Sequence, residues 1–279
     1  MRWLSRRSGA SFRRLPPLAL LFALTTSIAS TPPEAAPPLP PAESELRVST
    51  HRAAGLEYLL VEPRDVPPNA ELPLIVYIHG RGDRPRVPQR DVYGLDTPVR
   101  LILPRGPERY GRGWAWAPVS AHRGESPALL EGLDASARAL SEALLEWRAR
   151  HPTRGKPIVV GFSQGGMLAM LLAVREPAAL ARAIPLAGWL PPSFLPPPAD
   201  PYAVKAPIIA LHGEDDPILG AARTARTVEA LAGRGYPATF ESYPGVGHEL
   251  SDAMRARLRA LLEEALRELP ERAEARGAV

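Results

Sequence analysis

Short, almost continuously apolar runs recur along this chain, with helical patterns between most of them. The runs are LEYLLVEP (56–63), LPLIVYIHG (72–80), VRLILPRG (99–106), KPIVVGF (156–162), RAIPLAG (182–188), APIIALHG (206–213) and ATFESYPG (238–245). Most are too short for helices and carry no polar face, so they predict strands buried on both sides, as in a parallel sheet. Residues 127–150 place Leu129, Leu133, Ala137, Leu140, Leu144, Leu145 and Trp147 at helical spacing, and His151-Pro152 stops that helix. Further helices are predicted over 164–176, 221–233 and 249–268. The alternation predicts an α/β fold with a mostly parallel central sheet covered by helices on both faces.

In such sheets function gathers at the carboxyl ends of the strands. Four of those ends carry HGRGD (79–83), GFSQGG (161–166), HGEDDP (212–217) and PGVGHE (244–249). The second fits a G-x-S-x-G turn between a strand and a helix, where a serine stands at the tip of a sharp bend. Ser163 is therefore the candidate nucleophile; the plain alternative is a structural turn serine. A serine hydroxyl needs a base, and His248, in a glycine-containing loop before the last helix, is the candidate. The base needs an acid to fix its tautomer. Asp216, just before Pro217, is chosen, with Asp215 as the alternative. The order Ser163, Asp216, His248 is the order of an α/β-hydrolase. Backbone N–H groups of Gln164 and Arg81 are the expected donors to a developing oxyanion. His79 and His212 read as residues that hold their loops; His51, His122 and His151 have no supporting context. The acidic triplet 214–216 lacks paired His or Cys ligands, so neither a metal nor another cofactor is expected.

Net charge adds an exclusion. The formal charge is +4, but Arg2, Arg6, Arg7, Arg13 and Arg14 crowd the first 29 residues, which hold no acid. Without them the chain has 29 basic and 30 acidic residues, which offers no broad field for nucleic acid or anionic membrane. That basic segment precedes an apolar stretch, Leu15–Ala29, with small residues Ser27 and Ala29 at its end. Residues 1–29 are expected to be an export signal cleaved after Ala29, since two prolines and limited length argue against a membrane span in the mature chain. Residues 30–44 form a Pro/Ala-rich linker, and 45–279 the catalytic domain. No cysteine is present, so an exported product relies on its core rather than on disulfides.

HGRGD, PRG at 104–106, GWAW at 113–116, GFSQGG, HGEDDPI and GVGHE together resemble the phospholipase/carboxylesterase family of α/β-hydrolases, which includes acyl-protein thioesterases. The resemblance spans roughly residues 56–268 and implies a triad of Ser163, Asp216 and His248 with oxyanion donors at Arg81 and Gln164. The chain departs from the family in its signal and linker, in the proline-rich segment 188–202, and in Trp114-Ala115-Trp116 where the family tends to have Trp-Phe. Trp114, Trp116, Trp189, Phe194 and Leu195 are candidates to line an acyl pocket or lid, against the alternative of ordinary packing. The expectation is an exported serine hydrolase acting on small carboxylic esters, thioesters or lysophospholipids. The alternatives are another acyl substrate (a lactone, an aromatic polysaccharide ester or a peptide) and a non-catalytic binding protein on the same fold.

Overall fold

The computed structural model describes residues 45–86, 92 and 95–270. The expected signal (1–29) and linker (30–44) lie outside the described residues, as do residues 87–91, 93–94 and 271–279. The strands are β1 (Leu46–Ala53), β2 (Leu56–Pro63), β3 (Leu74–Ile78), β4 (Arg100–Pro104), β5 (Glu108–Tyr110), β6 (Gly113–Ala115), β7 (Ile158–Phe162), β8 (Arg182–Leu186), β9 (Ile208–Gly213) and β10 (Ala238–Tyr243). The helices are α1 (Pro127–Arg150), α2 (Gln164–Arg175), α3 (Ala221–Ala232) and α4 (Asp252–Glu268). Every run expected to be a strand is one. The last helix begins at Asp252 rather than at 249, because the Ser251 hydroxyl accepts the Met254 N–H at 3.3 Å and caps it there.

Eight strands form one sheet in the order β1-β2-β4-β3-β7-β8-β9-β10. The β1–β2 and β2–β4 pairs are antiparallel; the pairs from β4 through β10 are parallel. The period-2 geometry of a strand divides the core in two. Leu74, Val76 and Ile78 of β3 point to a core shared with α1, α2 and α3. Ile75 and Tyr77 of the same strand point to a second core closed by α4. Helices on both faces explain why β3, β4 and β8 are buried at every residue.

Three strands were not expected. Strand β1, LRVSTHRA, buries only its first and last residues and exposes polar side chains between them, so it sits at the sheet edge with no apolar signal. The three-residue strands β5 and β6 form a separate antiparallel pair, too short to show a period.

A buried ion-pair network lies at the antiparallel side of the sheet. Arg100, at the start of β4, is fully buried and donates to Glu62 Oε1 at 2.8 Å and to the Pro152 carbonyl at 2.7 Å. Arg47 donates to the other oxygen of Glu62 at 3.1 Å. Burial alone would raise the Glu62 carboxyl, but the hydrogen bonds and charges of Arg100 and Arg47 outweigh it and hold it below the usual range. The network ties the antiparallel edge to the loop after α1. Removing one partner from such a pair costs about 3–5 kcal/mol, because it strands the other charge.

Candidate active site

Strand β7 ends at Phe162, and Ser163 turns the chain directly into α2. Its backbone sits at φ 55°, ψ −116°, a region disfavoured for any residue with a side chain by about 1–3 kcal/mol. Close packing over-determines it. A Cβ on Gly161 would lie 2.0 Å from the Gly165 carbonyl oxygen, and one on Gly165 would lie 2.0 Å from that of Ile78 on β3. The Ser163 N–H donates to Leu186 O on β8 at 2.9 Å. The serine is thus clamped between both neighbouring strands, and glycine is needed on either side of it.

The loop after β10 brings His248 to this tip. Its Nε2 is 3.0 Å from Ser163 Oγ, and its Nδ1 is 2.7 Å from Asp216 Oδ2. An ionised carboxylate can only accept, so Nδ1 carries the proton, and the Nε2 lone pair faces the serine hydroxyl. The imidazole is partly open to solvent while the Asp216 side chain is fully enclosed. Asp216 Oδ1 accepts the Ile218 and Leu219 N–H groups at 2.7 and 3.0 Å, and Oδ2 also faces His212 Nε2 at 2.8 Å. Burial opposes ionisation of Asp216, but the bonds from His212, His248, Leu219 and Ile218 override it and hold the carboxyl far below the usual range. The alternative acid, Asp215, is exposed, and its backbone N–H donates to Val246 O at 3.0 Å.

The two expected oxyanion donors are unspent. Among the described residues neither the Arg81 nor the Gln164 N–H has a protein acceptor. The HGRGD loop lies against the elbow: a Cβ on Gly80 would lie 3.4 Å from Ser163 Cβ. His79 fixes this loop, with Nδ1–H donating to Gly80 O at 2.7 Å and Nε2 accepting the Gly106 N–H at 3.0 Å. Burial lowers its basicity, consistent with that neutral tautomer. The β5–β6 pair clamps the other side, through Gly82 N–H to Trp114 O at 2.7 Å and Trp114 N–H to Asp83 O at 2.8 Å.

The aromatic candidates separate. Trp116 is fully buried, and its indole N–H donates to His79 O at 2.9 Å. It supports the HGRGD loop and has no surface to offer a substrate. Trp114 is half-exposed beneath the guanidinium groups of Arg105 and Arg109. Phe194 is half-buried, with Arg175 5.1 Å above its ring. Trp189 lines a cavity of about 350 Å³ with Leu190, Pro192, Leu195, Arg223 and Thr227.

Two contributions were missed from sequence. The Gln164 side chain accepts the Trp116 N–H at 3.0 Å and donates to Val119 O at 2.9 Å, tying the start of α2 to the loop before α1. His212 contacts the carboxylate of Asp216 instead of only bracing its own loop. Neither partner is near in sequence to signal this, apart from the four-residue separation of His212 and Asp216.

An eight-stranded, mostly parallel sheet with a serine at a strand–helix elbow is the α/β-hydrolase fold. The profile of the phospholipase/carboxylesterase family matches residues 60–265, and the chain belongs to that family. It is accordingly a hydrolase of the carboxylesterase and thioesterase type. It is 28% identical over 195 residues to acyl-protein thioesterase 1 of Gibberella zeae, covering 62% of this chain and 82% of that protein. Its structure resembles Zea mays acyl-protein thioesterase 2 with a TM-score of 0.59 and 25% identity, over 75% of this chain and 98% of that one. It resembles esterase PE8 with a TM-score of 0.60 and 22% identity, over 79% and 99%.

Gly165→Ala tests the elbow. The added methyl meets backbone on β3, which cannot step aside, so urea unfolding should show a loss of roughly 3 kcal/mol or more, or the variant should fail to fold. A change within about 0.5 kcal/mol would mean the elbow is not tightly clamped.

Proposed function

We propose that this chain is an exported serine esterase that cleaves carboxylic esters, including thioesters and lysophospholipids, through an acyl-enzyme. The observation that carries the reading is the bridge made by His248 between Ser163 Oγ and Asp216 Oδ2. Ser163 Oγ attacks the substrate carbonyl carbon as its proton passes to His248 Nε2. The imidazolium that forms is stabilised through Nδ1–H by Asp216. The carbonyl oxygen becomes an oxyanion and accepts from the Arg81 and Gln164 N–H groups, the latter at the positive end of α2. Collapse of the tetrahedral intermediate breaks the bond to the alcohol or thiol, which takes the proton from His248. Water, deprotonated by the same imidazole, then attacks the acyl carbon; the bond to Oγ breaks, His248 returns the proton to Ser163, and the acid leaves.

The cavity beside Trp189 has the size and the largely apolar wall that an acyl chain requires, and Leu195 forms part of that wall. The basic and apolar pattern of residues 1–29 supports export of the protein.

Ser163→Ala should lower kcat/KM for p-nitrophenyl esters by on the order of 10³ or more with folding intact; activity near that of the native enzyme would overturn the nucleophile assignment. In a series of p-nitrophenyl esters, Leu195→Trp should shift the preferred acyl chain shorter while the acetate ester is still cleaved. An unchanged chain-length profile would place the acyl group elsewhere. Expressed with residues 1–29 in a bacterial host, the exported protein should begin at Ser30 by N-terminal sequencing. Cytosolic protein retaining residue 1 would contradict export.

A further inference from the structure

We propose that His212 carries a proton on both ring nitrogens and, as a buried imidazolium, shares the Asp216 carboxylate with His248, setting how far into acid the reaction persists. The effect on the reaction rests on the proposed roles of Ser163, His248 and Asp216; the charge of His212 does not.

Proton counting along one chain of contacts carries the inference. The Gly188 carbonyl can only accept, and Thr224 Oγ1 lies 2.7 Å from it. A threonine hydroxyl has one proton, which that bond uses. Thr224 Oγ1 also lies 2.7 Å from His212 Nδ1, so the proton between them belongs to the histidine. At the other side of the ring, Nε2 lies 2.8 Å from Asp216 Oδ2, and an ionised carboxylate only accepts. The proton there belongs to the histidine too. A neutral ring protonated on Nε2 would either turn the threonine proton away from Gly188 O or set two lone pairs against each other at 2.7 Å, and one protonated on Nδ1 would set its Nε2 lone pair against the carboxylate at 2.8 Å. His212 and Thr224 are both fully buried, where an unmade bond carries its full desolvation cost. A buried cation needs an anion in contact, and Asp216, with its side chain fully enclosed and its carboxyl held far down, supplies it.

Other charged groups near His212 are engaged or point away. On α3, Arg223 donates to the Ala121 and His122 carbonyls. On the loop after β9, Glu214 and Asp215 are exposed, and Glu214 accepts from Ser242 of β10. Arg182 lies at the opposite end of β8, bound to Leu261 O and Glu268 of α4. His122 contacts Ile218 O. Asp216 and His248 remain as the groups that His212 charges directly.

Protonating His248 therefore places a second cation on the carboxylate oxygen that His212 already contacts. Two cations on one carboxylate repel each other, and the pH profile of the reaction reads that repulsion. His212 is a positioning residue: it acts on Asp216 and does not touch substrate.

The test uses the full chain labelled with ¹⁵N-histidine. Long-range ¹H–¹⁵N correlation at pH 7 should show protons on both nitrogens of His212, identified by the signal lost in His212→Asn. Thr224→Val, which removes the acceptor of Nδ1–H, should convert His212 to a single-proton form. In parallel, the acid limb of kcat/KM on p-nitrophenyl acetate should move to higher pH in both variants. A bare nitrogen on His212 in the native chain overturns the proposal. Two protons with an unmoved acid limb overturn its role in the reaction. If Ser163 proves dispensable, the kinetic arm falls with that reading while the NMR arm still reports the charge on His212.

Discussion

The arrangement depends on a backbone that would rather not exist. Ser163 is held at positive φ between β7 and α2, and two glycines let Gly165 touch β3 and Gly161 touch Gly165 with no side chain between them. The local strain, about 1–3 kcal/mol, is small beside the burial of β3, β7, β8 and the almost entirely enclosed α2 that flank it. The core therefore imposes the turn, and the turn lifts a hydroxyl out of the sheet. It also sets the Gln164 N–H at the start of a helix, where it has no intrahelical acceptor.

The remaining groups arrive from loops far away in sequence, and each loop is fixed by contacts other than the one that concerns the serine. Asp216 is locked by two backbone N–H groups of its own turn. A Cβ on Gly213, at the end of β9, would strike the Val246 carbonyl at 2.2 Å, so this turn and the His248 loop are packed face to face. The HGRGD loop is braced by His79, Gly106, Trp116 and the β5–β6 pair. In the proposed mechanism these braces hold the Arg81 and Gln164 N–H groups and His248 in place before substrate arrives, which is what electrostatic stabilisation of a transition state requires.

Legibility of the fold in the sequence follows burial. Runs such as LIVYI and IVVGF are enclosed on both faces, so their composition alone marked them as strands. Strand β1 has a solvated face full of polar residues, and β5 and β6 are too short for periodicity, so these stayed hidden. That Ser163, Asp216 and His248 meet was legible because chemistry and backbone motif coincide at each of them. Side chains whose meaning is a long-range contact were not. Arg100 read as the unremarkable start of a strand, yet it anchors a buried ion pair. Trp116 read as a candidate for substrate contact, yet it is wholly inside. A large aromatic in a glycine-rich loop looks the same in sequence whether it faces solvent or core, and only the packing of β6 against the HGRGD loop distinguishes the two.

The central claim is that one oxygen position near Ser163 is reached by both N–H donors while His248 reaches the nucleophile. A crystal structure of the protein treated with a p-nitrophenyl alkylphosphonate tests it most directly. The account predicts phosphorus bonded to Ser163 Oγ, its phosphoryl oxygen about 3 Å from the Arg81 and Gln164 nitrogens, and His248 still on Asp216. An adduct on another residue, or one on Ser163 whose phosphoryl oxygen faces solvent away from both amides, would contradict it.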